Sequence, residues 1–96
     1  MTRNDCIEIL KLAGPYIKEK YGVKSLSLFG STARGTHTDE SDVDLFIDMP
    51  PKAFQLVELG YYLEDILGRA VDLVRSSQHL NQVFLKEIER DGITIF

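Results

Sequence analysis

Two aspartates stand one residue apart in Ser41-Asp42-Val43-Asp44-Leu45, and a third, Asp72, sits at the centre of the apolar run Ala70-Val71-Asp72-Leu73-Val74. Residues two apart on a strand share a face. Asp42 and Asp44 are therefore expected side by side, with Val43, Leu45 and Ile47 turned toward a core. At about 5 Å and an effective dielectric near 20, two carboxylates repel by on the order of 3 kcal/mol. Either one carboxyl stays protonated, or both face water, or a cation lies between them. Magnesium suits such an oxygen-donor site and commonly shares it with phosphates. Asp72 favours the cation, because an unpaired carboxylate is costly to bury in an apolar strand. With its strand beside that of Asp44, three carboxylates can hold two metal ions about 3.5–4 Å apart.

Gly30-Ser31 supplies the complementary half. A glycine at a strand end lets backbone approach a ligand closely. N–H groups opening the next helical turn are phosphate donors, and the Ser31 hydroxyl adds another. Together these residues point to phosphoryl-group chemistry on a nucleoside triphosphate, driven by positioning and charge neutralisation.

The elements that must hold this set in place can be read from periodicity. Residues Thr2–Lys20 predict a helix with Ile7, Leu10, Ala13, Ile17 and Tyr21 as its apolar stripe, kinked at Gly14-Pro15 and capped by Gly22. Lys24–Phe29 predicts a strand, Ser31–Arg34 a helical turn, Gly35–Ser41 a loop and Val43–Asp48 a second strand ended by Pro50-Pro51. Ala53–Leu67 predicts a helix with Phe54, Val57, Leu59, Tyr61, Leu63, Ile66 and Leu67 as apolar members. A strand at Ala70–Val74, a helix at Leu80–Arg90 carrying Val83, Phe84 and Ile88, and a short edge strand at Ile93–Phe96 follow. The order α-β-β-α-β-α-(β) predicts an α/β (α+β) domain, a small mixed sheet flanked by helices. The first two strands are joined too briefly for a crossover helix and should be antiparallel.

The 96 residues suit one domain, residues 1–96. Such a small domain buries only about 60–65% of its unfolded surface, so a partner subunit would help. A formal charge of −4 argues against gripping nucleic acid, which needs Lys and Arg against phosphates. Cys6 has no second cysteine to pair with and fits a reducing cytoplasm. The charged N-terminus does not read as a signal peptide, and no apolar run reaches the roughly 20 residues of a membrane span.

At these residues the chain resembles the DNA polymerase beta-like nucleotidyltransferases, whose hallmark is Gly-Ser, ten intervening residues, then Asp-x-Asp; here Gly30-Ser31, residues 32–41 and Asp42-Val43-Asp44 match it without a gap. The fuller pattern, Phe29-Gly30-Ser31-x-Ala33-Arg34-Gly35 leading to Ser41-Asp42-x-Asp44-Leu45, is most similar to the minimal nucleotidyltransferase (MNT) branch. The resemblance extends over nearly the whole chain, and it implies the polymerase beta-like fold. It further implies that Asp42 and Asp44 bind both magnesium ions, that Asp72 binds one and acts as base for the acceptor hydroxyl, and that Gly30 and Ser31 hold the triphosphate. MNT proteins commonly accompany HEPN proteins, small helical ribonuclease toxins, and some act as antitoxins by moving AMP from ATP to a HEPN tyrosine. Alternatives within the resemblance are an antitoxin that works by binding alone and a subunit of an aminoglycoside-type small-molecule nucleotidyltransferase. The chain has no room for a domain holding the acceptor. Another chain must present it, or a second copy must complete the cleft, in a hetero- or homo-oligomer.

Other polar residues have plainer expected roles. Arg34 braces the loop against Asp39, Glu40 or a site carboxylate, or else contacts phosphate. Ser41 orients the loop before Asp42, while Asp39, Glu40 and Asp48 face solvent. His37 and His79 are surface residues, Cys6 is a buried helix residue, and the tyrosines serve the core or an interface.

Overall fold

The computed structural model describes residues 1–76, 80 and 82–96. Its elements are α1 (Arg3–Tyr21), β1 (Ser25–Phe29), α2 (Gly30–Arg34), β2 (Val43–Asp48), α3 (Ala53–Leu67), β3 (Val71–Arg75), α4 (Gln82–Asp91) and β4 (Ile93–Thr94). The sheet order is β3-β2-β1-β4. β1 is antiparallel to β2 and β4, whereas β2 and β3 are parallel. The mixed sheet follows from chain lengths: a short loop returns β2 beside β1, and α3 provides the crossover a parallel β3 needs.

α1 starts in a reciprocal cap. The Thr2 hydroxyl accepts from the Asp5 N–H, and the Asp5 carboxylate accepts from the Thr2 N–H, both at 3.1 Å. The helix runs unbroken through Pro15 to the left-handed Gly22. Its buried stripe is Cys6, Leu10, Gly14, Ile17 and Tyr21, with Ile7 and Ala13 partly buried beside it. Gly14 is there because Phe96 leaves room for little else.

One face of the sheet is the core. Leu26 and Leu28 of β1 and Val43, Leu45 and Ile47 of β2 are completely buried there. Leu28 lies opposite Leu45 and Leu26 opposite Ile47. From α3 only Leu59, Leu63 and Leu67 are buried. Phe54, Val57 and Tyr61, expected as apolar members of this helix, lie on its opposite side and are 88%, 54% and 69% exposed. The 3.6-residue period places them outward once Leu59, Leu63 and Leu67 face the sheet. Val83 of α4 is likewise exposed, and no residue of that helix is fully buried.

Leu45→Ala should cost about 2–5 kcal/mol through lost burial and a cavity, against roughly 5–14 kcal/mol for a chain of this length. Urea denaturation measures it. A loss under about 1 kcal/mol would mean that Leu45 is not central.

Candidate active site

The opposite face of the sheet carries the chemistry. Asp44 of β2 has two partners in register, Asp72 across the parallel β2–β3 pair and Phe29 across the antiparallel β1–β2 pair. Side chains at paired positions share a face, so Asp44 and Asp72 stand side by side away from the core. The α3 crossover makes this register possible, bringing the 43–48 and 71–75 segments into one orientation. Asp72 is exposed and Asp44 half-buried; β3 is an edge strand, so Asp72 borders open solvent.

β2 has the bounds expected of it, Val43–Asp48, so Asp42 ends the preceding loop and is exposed. Its charge still reaches Asp44. Burial, then Asp72, then Asp42 push the Asp44 carboxyl above its ordinary value of 3.8, with Arg34 pulling the other way. Asp44 thus lies within the field of both other carboxylates. Among the described residues, however, no three His, Cys, Asp or Glu side chains are gathered closely enough to hold a metal ion as they stand. Asp42 and Asp72 are exposed and Asp44 is half-buried. Their hard oxygen donors fit a magnesium ion.

Gly30 sits between strand and turn with φ +72°, and a Cβ there would collide with the Asp44 carboxylate. Glycine is required twice over, by backbone and by space. Ser31 follows on α2, which closes on the left-handed Gly35. Phe29, Gly30, Ser31, Arg34, Asp44, Glu87 and Asp91 line a cleft of about 370 Å³. Ser31 and Asp44 therefore meet in one space, with Asp72 in register beside Asp44.

Two of these lining residues, Glu87 and Asp91, were not anticipated from sequence. They come from α4, which lies across this face with Phe84 packed against Phe29 and Phe46 at ring-centroid distances of 5.4 and 6.2 Å. The available signal was the i, i+3, i+7 spacing of Phe84, Glu87 and Asp91. Of the partners expected for Arg34, namely Asp39, Glu40 or a site carboxylate, it pairs with a carboxylate of the cleft, Asp91, at 3.8 Å. The loop itself is braced by Arg69, which was not anticipated and whose guanidinium donates to the carbonyls of Ser41 and Thr38. The Ser41 hydroxyl accepts from the Thr38 N–H at 2.9 Å, so Ser41 orients the loop as its position suggested. Asp48 is half-buried at the end of β2. His37 Nε2 lies 2.8 Å from the Met1 carbonyl, His79 is outside the described residues, and Cys6 is buried.

The raised Asp44 pKa has a consequence for stability. The folded state binds this proton more tightly than the unfolded chain, so Asp44 penalises folding once it ionises, and stability falls as pH rises from about 3.8 through the raised value. In chelator, the stability advantage of Asp44→Asn over the parent should be near zero below that window and grow above it. Urea titrations at several pH values measure this. A constant difference would deny the coupling.

No helix among the described residues is long and apolar enough to cross a membrane. Residues 11–95 match the nucleotidyltransferase domain family. A Methanocaldococcus jannaschii protein provisionally named a protein adenylyltransferase is 41% identical over 98 residues, covering 98% of each chain. The protein adenylyltransferase MntA of Thermococcus cleftensis is 37% identical over 97 residues, covering 99% of this chain and 97% of its own. Among solved structures, a complex of a tri-AMPylated Shewanella oneidensis HEPN toxin with its MNT antitoxin aligns with a TM-score of 0.58 at 21% identity, over 98% of this chain and 68% of that one.

Proposed function

The chain belongs to the nucleotidyltransferase domain family, and from that premise we propose that it is a protein adenylyltransferase, transferring AMP from ATP to a tyrosine of a HEPN-type toxin and so serving as its antitoxin. The near-complete alignment with MntA supports the activity, and the AMPylated toxin bound to an MNT antitoxin supports the partner. The observation that carries the chemistry is the register of Asp44 with Asp72 beside Gly30.

In this reading Gly30 and Ser31 receive the triphosphate through backbone N–H groups and a hydroxyl. Asp42, Asp44 and Asp72 would hold two magnesium ions, which when bound supply neutralising charge for the triphosphate and the departing pyrophosphate. Asp72, at the open edge of the sheet, takes the proton of the acceptor hydroxyl. The tyrosine oxygen bonds to the α-phosphorus, the bond from that phosphorus to the bridging oxygen breaks, and pyrophosphate leaves. The acceptor comes from the partner chain, and the reaction belongs in the cytoplasm, where ATP and a ribonuclease target coexist.

Incubating the protein with labelled ATP, magnesium and the candidate toxin tests this, with Asp44→Asn as control. Label on the toxin that depends on Asp44 supports transfer; no label from the parent protein rejects it. An antitoxin acting by binding alone draws support from the exposed Phe54, Val57 and Tyr61 of α3, which suit a partner contact. It would be favoured if Asp44→Asn neutralised the toxin as well as the parent does.

A further inference from the structure

Asp91 stands outside the three-aspartate set, yet it lies on the far wall of the same cleft. Phe84 anchors α4 against Phe29 and Phe46, and Asp91 follows two turns later. Arg90 grips the Asp91 carboxylate at two points, Nε to Oδ1 at 3.2 Å and NH2 to Oδ2 at 2.9 Å. Such a two-point contact fixes the plane of the carboxylate. Oδ2 also stands 3.8 Å from Arg34 NH1. The side chain of Asp91 is 19% exposed and that of Arg34 48%. The acid is therefore the more enclosed member of the pair, and the arginine is the member held.

Arg34 is the only cation among the described residues lining the cleft; the other charged groups there are Asp44, Glu87 and Asp91. A triphosphate entering this space meets carboxylates on both walls. At 3.8 Å the contact with Asp91 is an ion pair too long for a hydrogen bond, so it leaves the N–H donors of Arg34 available. At this exposure it adds little to stability. Its geometry sets a planar, phosphate-matching guanidinium beside the cleft.

We propose that Asp91 is a positioning residue for the nucleotide, holding Arg34 at the cleft rim where its guanidinium receives the β- and γ-phosphates of a nucleoside triphosphate. This rests on the nucleotidyltransferase reading above and assigns a specific role within that site.

Calorimetric binding of Mg-ATP and of AMP to the parent, Arg34→Gln, Asp91→Asn and the double variant tests it, with thermal midpoints measured alongside. Each single change should weaken Mg-ATP about five- to tenfold, and the double variant should be no more than about twofold worse than the weaker single. AMP, lacking the outer phosphates, should bind all four proteins alike. Arg34→Lys should recover part of the Mg-ATP affinity, keeping charge without the planar fork. The proposal is overturned if Asp91→Asn binds Mg-ATP as well as or better than the parent, if the two losses multiply, or if AMP weakens in step. A parent protein that binds no Mg-ATP would overturn the enzymatic reading itself, a result distinct from normal parental binding that Asp91→Asn leaves intact.

Discussion

Asp44→Asn should reduce AMP transfer on the order of a thousandfold or more, while making the metal-free protein harder to unfold at neutral pH. Both effects come from one side chain. Asp44 is the central carboxylate, in register with Asp72 and within the field of Asp42. Replacing it with a neutral amide of the same shape removes the charge that the proposed metal site relies on, and losses of this size follow when a group stabilising transition-state charge is removed. The same change also removes a half-buried charge repelled by two others, a cost the parent carries whenever no cation offsets it. Single-turnover assays with labelled ATP measure the first effect, and thermal melts in chelator measure the second. Magnesium should raise the melting temperature of the parent and leave that of the variant nearly unchanged. A variant that transfers AMP within tenfold of the parent would remove Asp44 from the mechanism.

Gly30→Ala should damage fold and chemistry together. A non-glycine residue in the left-handed region costs about 1–3 kcal/mol, which for a domain this small lowers the melting temperature by roughly 5–20 °C. The added methyl would also occupy space taken by the Asp44 carboxylate, forcing that carboxylate aside. Displacements of about 1 Å at a reacting centre cost on the order of a hundredfold in rate. Gly35→Ala separates the two causes. Gly35 has φ +76° but no atom within 4 Å of its would-be Cβ, so it should lose stability and keep most of its transfer activity, measured below the melting transition. Equal activity losses in the two variants would mean that backbone strain alone, and not the Asp44 collision, explains Gly30.

The pattern of glycine, serine and three aspartates was readable because each position answers to a local rule. Gly30 is demanded by a strand-to-turn junction, Asp44 by alternation along β2, and Asp72 by its isolation within an apolar strand. Element order and the antiparallel start of the sheet followed from loop lengths. Tertiary choices were less accessible. Phe54, Val57 and Tyr61 present large apolar surfaces much as Leu59, Leu63 and Leu67 do, and only the docking of α3 decides which set turns inward. Glu87 and Asp91 look like ordinary solvent-facing acids of a charged helix until Phe84 lays α4 across the site. Arg34 offered several acidic partners nearby in sequence, yet it pairs with one 57 positions later. A contact over that distance leaves no periodic trace.

The parallel pairing of β2 with β3 also bears on how the protein comes into being. Asp44 acquires its neighbour Asp72 only after the whole of α3 has been synthesised and has folded back over the sheet. A ribosome-bound chain that has emerged only as far as β2 carries Gly30, Ser31, Asp42 and Asp44 but lacks the third acid. If the three acids act together as proposed, adenylylating capacity arrives late in translation, and a chain terminated before β3 lacks one of them.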